Sequence, residues 1–160
     1  LKRRHTATPA DAIELLMSHH REIERRFEAF HMTTSMRRQI ELGYQICEAV
    51  RIHLEIGQQL FYAAFLRATN DAVLHREALA EHHAIRDLIN EIERMTPSQD
   101  NFFAKIHMLC EMFMRHVKRE EHDRGVFAQA RRAHVDLQAL GETLRRRKDQ
   151  LTALYSVSHG

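Results

Sequence analysis

Four long stretches of this chain each carry one apolar stripe at helical spacing, and near the middle of every stripe stands a histidine. Reading residues alternately three and four apart gives Ile13, Leu16, His20, Ile23, Phe27 and Phe30, then Ile46, Val50, His53, Gly57, Leu60 and Ala64. The third stripe is Leu74, Ala78, His82, Ile85, Ile89 and Ile92, and the fourth Phe102, Ile106, Leu109, Phe113, His116 and Glu120. That spacing buries one side of a helix against its neighbours. No run alternates apolar and polar residues long enough for a strand, and 5 glycines and 2 prolines in 160 residues leave few breaks in a helical chain. A single domain of this length buries a core without disulfides.

Turn chemistry separates the stripes. In TPAD, Thr8 is expected as an N-cap, Pro9 as the first helical residue and Asp11 as the end of a capping box, opening a helix that runs to about His31. MTTS interrupts the pattern, and a second helix is expected from about Ser35 to Ala68. TND restarts it near Asp71, TPSQD ends the third helix, and the fourth runs to about Arg119 or beyond, its end blurred by Gly125. A fifth, from about Asp136, places Leu137, Leu140, Leu144, Leu151 and Leu154 on one face. It is expected to dock on the bundle or on a second subunit, as a homodimer through the C-terminal helix. Short connections imply antiparallel neighbours, so the fold class is all-α: an up-down four-helix bundle with an additional C-terminal helix. The expected division is a disordered basic N-terminus over 1–8, the bundle over 9–132 and an amphipathic helix over 133–156.

The chain also repeats itself. MSHHREI corresponds to LAEHHAI with His20 over His82, and ICEAVRIH to LCEMFMRH with Cys47 over Cys110 and His53 over His116. In an antiparallel bundle the middles of the helices share one layer, so four imidazoles converge in an apolar core. Unpartnered, such polar groups cost about 1–3 kcal/mol each. A transition metal satisfies them, because neutral imidazole is its commonest protein ligand. His116 and Glu120 lie four apart on one helix face, suited to one metal or a bridged pair. The competing reading is a set of core histidines bonded to backbone carbonyls or water. Of 13 histidines in all, His19 and His83 are expected beside the layer or at the surface, and His75 two turns from His82. His5, His31, His107, His122, His134 and His159 read as solvated or terminal.

Composition excludes other classes. With 24 basic and 22 acidic residues the formal charge is +2, and the basic clusters LKRR and RRRK lack the interleaved aromatics of a single-strand binder, so no nucleic acid is expected. No apolar run is long enough for a membrane and no signal peptide is recognisable, so the expected location is cytoplasmic. Cys47 and Cys110, both in helical patterns, read as free buried thiols.

The segments DAIELLMSHHREIERRFEAF, HLEIGQQLFYAAF, EHHAIRDLINEI, HVKREE and DLQALGETLRRRKDQL, taken together, resemble the hemerythrin-like (HHE cation-binding) domain family over about Asp11 to Leu151. The resemblance implies a four-helix bundle holding a non-haem di-iron centre. By position it implies His20, His53, His82, His116 and Glu120 as metal ligands, and iron as cofactor. It further implies a protein that binds or senses a small oxidant (dioxygen, nitric oxide or peroxide), more a binding or sensing protein than a classical enzyme. The alternatives are an iron-donating or peroxide-consuming stress protein, and a metal-free interaction module with a decayed site.

One ligand position departs from the family. Family members usually carry a glutamate where this chain has Gly57, within GQQ; other departures are His19 for a common aspartate, and Ala63 and Ala128 for frequent prolines. Glu55 falls on the wrong helix face to compensate, and the amides of Gln58 and Gln59 neutralise cations poorly. A mononuclear site, a di-iron site bridged partly by oxide or water, and a decayed site all remain open. Gly57 leaves either an open coordination position or a place of close helix packing.

Overall fold

The structure, a computed structural model, describes residues 8–97 and 100–158. The expected disordered tip and the terminal His5 and His159 lie outside these residues, Thr8 apart. Seven α-helices are described: α1 (Ala12–Met32), α2 (Met36–Ile56), α3 (Ala63–Thr69), α4 (Ala72–Arg94), α5 (Asp100–Glu121), α6 (Val126–Arg132) and α7 (Leu137–Ser158). A π-helical segment, Gly57–Tyr62, joins α2 to α3 without a break, so the expected second helix is one continuous rod with an irregular middle.

The caps show why the rods begin and end where they do. Asp11 caps α1 by accepting from the Glu14 N–H at 2.9 Å, so the helix starts at Ala12, and Thr8 and Pro9 precede it rather than open it. Ser35 and Asp71 cap α2 and α4 in the same way. Asn70 ends α3 in the left-handed conformation, with φ 55°, where a short polar side chain is tolerated.

Helices α1, α2, α4 and α5 form the bundle, each packed against two others: α1 on α2 and α5, α4 on α2 and α5. The C-terminal α7 docks across α1 and α2 of its own chain. Close approach is possible because Gly141 has no side chain: a Cβ there would lie 2.8 Å from the backbone of Ala10, Asp11 and Ala12. Lys148 to Glu22 at 3.2 Å and Arg147 to Glu55 at 3.3 Å tie its outer edge. Of its leucine stripe Leu144 and Leu151 are buried, Leu137 and Leu140 are half-buried, and Leu154 is exposed rather than docked.

The core falls into two apolar clusters. Ile23, Phe27, Ile46, Val50, Ile85 and Phe113 belong to one; Ile13, Leu16, Ile56, Phe61, Phe65 and Phe127 belong to the other. Between them lies a polar layer of His19, His20, His53, His82, His116 and Glu120, all buried. The stripes of α1 and α5 are buried as read from the sequence. The second is not: beyond Gly57 the π-helical turn takes in an extra residue, so Phe61, Tyr62 and Phe65 are buried while Leu60 and Ala64 are only half-buried. On α4, Leu74 is likewise only half-buried.

Candidate metal centre

The histidine layer is built by helix spacing and aimed by long-range pairs. His20 Nδ1 lies 2.7 Å from Glu121 Oε1, and Arg21 in turn bonds Glu121. His116 Nδ1 lies 2.8 Å from Glu81 Oε1, with Arg119 on the other Glu81 oxygen at 3.2 Å. Since a carboxylate only accepts, both Nδ1 atoms carry hydrogen and both Nε2 atoms turn inward. His53 Nδ1 meets His19 Nδ1 at 3.2 Å, which places the buried His19 beside the layer. Imidazoles held by an outer partner in this way are preset as metal ligands.

The inward atoms form a compact donor group. His53 Nε2 lies 3.1 Å from His20 Nε2 and 3.2 Å from His116 Nε2. Glu120 closes the group, with Oε2 at 2.9 Å from His20 Nε2 and Oε1 at 3.2 Å from His116 Nε2. Ligand atoms bound to one ion at about 2.1 Å sit about 3.0–3.4 Å from one another, so these separations suit a common cation. His20, His53, His116 and Glu120 thus form one potential metal-holding group, and Glu81, His82 and His116 a second that shares His116. Of the five residues read from the sequence, four meet tightly and His82 stands to one side, its ring 5.2 Å from that of His116. Both His82 nitrogens are buried without a hydrogen-bond partner. Groups of that kind cost about 1–3 kcal/mol each unless something satisfies them, and a metal ion does so.

The electrostatics of the metal-free layer agree. Burial alone would raise the Glu120 carboxyl, but His116, His20 and His82 outweigh it and hold it down at about 2. Burial would lower His20, but its bonds to Glu120 and Glu121 carry it up to about 9. Burial holds His82 down at about 3, helped by His116, and keeps His53 well below the usual range. The layer therefore keeps an anionic carboxylate beside His53 and His82, which stay neutral as metal ligands must, while His20 would release a proton on binding a metal.

Tyr62 is the residue the sequence reading missed. Its hydroxyl donates to Glu120 Oε1 at 2.9 Å, and its ring lies 5.2 Å from that of His82. Burial, reinforced by Glu120, pushes its phenol well above the ordinary value. Helical periodicity chose Leu60 and Ala64 for this face. The signal against that choice was Gly57, a weak helix former, ahead of aromatics at Phe61, Tyr62 and Phe65 in the shifted register.

Gly57 is buried, yet a Cβ built on it would meet nothing within 4 Å. Close packing is therefore not the reason for this glycine: space is left where a side chain would stand. Neither glutamine fills it. Gln58 accepts from Arg86 at 2.8 Å, and Gln59 is exposed and donates to Glu55. Cys47 is buried, with its thiol pushed up to about 12, and Cys110 is half-buried, so neither supplies a ready thiolate.

Known proteins place this architecture. The chain is similar in fold to the crystal structure of a hemerythrin HHE cation binding domain-containing protein from Mycobacterium kansasii, with a TM-score of 0.68 and 22% identity over 93% of each chain. No curated protein matches the sequence significantly. The sequence profile of the hemerythrin HHE cation binding domain matches residues 11–130, the span that contains the whole histidine layer. By that match the chain belongs to the hemerythrin HHE cation-binding domain family.

Proposed function

We propose that this protein binds non-haem iron in the buried layer and uses it to bind or sense a small oxidant such as dioxygen, nitric oxide or peroxide. The observation that carries the reading is the converging group of His20, His53, His116 and Glu120, with His82 beside it and both of its buried nitrogens left without partners. A metal-free module would retain those unsatisfied groups at full cost, which disfavours the decayed-site alternative.

In this reading His20, His53 and His116 hold iron through Nε2, and Glu120 supplies anionic charge shared between His20 and His116. His82 and the Tyr62 hydroxyl border the His116 side, where a second ion would find a nitrogen, an oxygen and Glu120 Oε1. Tyr62 offers an oxygen in a layer that lacks the carboxylate at position 57. When bound, iron supplies Lewis acidity and one-electron chemistry toward small oxidants. The chain's own contribution is to fix the imidazoles through Glu121, Glu81 and His19, to exclude bulk water with two apolar clusters, and to leave space beside Gly57 for a diatomic ligand. Among the described residues no helix is long and apolar enough to cross a membrane.

Protein purified under iron-replete conditions is expected to contain iron and to show a visible absorption that changes on adding oxygen or azide. Tyr62→Phe should remove any phenolate-to-iron component of that absorption. Iron-free protein, or a spectrum indifferent to both ligands, counts against the proposal.

Gly57→Glu is expected to raise iron toward two per chain, since the missing carboxylate would then help to neutralise a second cation and the built Cβ meets no obstacle. Metal analysis of the variant beside the parent decides this, and unchanged stoichiometry would mean that charge at position 57 is not what limits loading.

A further inference from the structure

Away from the buried layer, His31 in the last turn of α1 and His107 of α5 face each other at the surface. His31 Nε2 lies 3.2 Å from His107 Nδ1, with ring centroids 5.4 Å apart and the rings nearly perpendicular. They are 76 positions apart in sequence, so the packing of α1 beside α5 brings them together.

The other nitrogen of each ring settles what these two present to one another. His31 Nδ1 lies 2.8 Å from the Phe27 carbonyl oxygen, and His107 Nε2 lies 3.3 Å from Glu111 Oε1. The Phe27 carbonyl only accepts, so the His31 N–H is on Nδ1 and its Nε2 offers a lone pair, to which His107 Nδ1 donates in the metal-free protein. With the His107 N–H moved to Nε2, 3.3 Å from Glu111 Oε1, both inner nitrogens aim lone pairs into one gap. A cation in the gap takes the place of the hydrogen that the two rings share. With metal–nitrogen bonds of about 2.1 Å, a 3.2 Å separation subtends roughly 100° at the ion, between the tetrahedral and cis-octahedral angles. A backbone carbonyl behind one ring and a carboxylate behind the other are the supports that commonly orient metal-binding histidines.

We propose that His31 and His107 form a surface site for one divalent transition-metal ion of the zinc type, with water in the remaining coordination positions. The site is separate from the buried layer: eleven residues along α1 from His20 to His31 amount to about 16 Å of helix rise, and the two share no residue. It does not rest on the iron reading above. Its practical consequence is that a metal count on this chain includes a surface ion wherever zinc-type ions are available.

Zinc chloride titrated into the purified, iron-treated protein by calorimetry and equilibrium dialysis, beside His31→Ala and His107→Ala, tests this. Both residues are exposed, so the variants should melt at the parent's temperature. The parent is expected to take up one more zinc per chain than either variant at micromolar concentrations, each variant binding that ion at least tenfold more weakly, with iron content equal in all three. The difference between parent and variants remains the readout even if the buried layer holds no iron. Equal zinc uptake by parent and variants overturns the proposal, as does uptake that occurs only as iron is displaced.

Discussion

If the buried layer holds iron as proposed, His116→Ala is expected to abolish most of that binding. His116 belongs to both donor groups, with Nε2 at 3.2 Å from His53 Nε2 and from Glu120 Oε1. Its loss also frees the Glu81 oxygen that its Nδ1 bonds at 2.8 Å. The variant thus loses a ligand shared by both groups and gains unsatisfied polar groups, at about 1–3 kcal/mol for each that stays buried. Iron per chain, measured on protein from iron-replete cells beside a His83→Ala control, reads the effect. His83 is exposed and pairs with Asp87 on its own helix, so the control should keep its metal. Full retention of iron in His116→Ala would show that the ligands have been misassigned.

The metal-free protein should lose stability steeply as pH falls below about 6.5. Burial, the largest cause in each case, holds His19 and His82 down at about 3 and keeps His53 well below the usual range, whereas all three titrate near 6.5 once unfolded. Their folded values are depressed, so below 6.5 the unfolded chain takes up protons that the folded chain refuses. Their contribution is complete above 6.5 and declines as pH falls. One such proton is worth about 1.4 kcal/mol per pH unit, so three together give a slope on the order of 4 kcal/mol per unit. Over two units that rivals the roughly 5–15 kcal/mol stability of a whole domain.

Two groups act elsewhere on the pH axis. His20, raised to about 9, contributes fully below 6.5 and loses its effect as pH rises through 9. Glu120, held at about 2, contributes above 4.5 and loses its effect as pH falls towards 2. Stability should therefore peak near neutrality. Urea midpoints of metal-free protein between pH 4.5 and 9 give the profile, and a flat line from 6.5 to 5 would contradict the buried, neutral state of these rings.

The outcome for individual residues shows where sequence reading succeeds. The stripes of α1 and α5 needed only an unbroken 3.6-residue period, and every residue read from them is buried. The same period carried His20, His53 and His116 to one depth, because helices of similar length joined by short loops have their middles level. It failed after Gly57, where one extra residue in the π-helical turn moved Tyr62 inward and Leu60 partly outward. Nothing in a periodic pattern marks which turn of a helix takes in an additional residue.

By itself, then, the sequence determined an all-helical bundle with a histidine in the middle of each long helix and a carboxylate beside the last, since those features depend on spacing within one element. Tertiary structure alone decided that Glu121 and Glu81 aim His20 and His116, that Tyr62 rather than a residue at position 57 reaches Glu120, and that His31 meets His107. Each of these pairs joins different helices, from 35 to 101 positions apart. Such a contact is fixed by how two rods are rotated and staggered against each other, a quantity that packing sets and that periodicity within either rod does not contain.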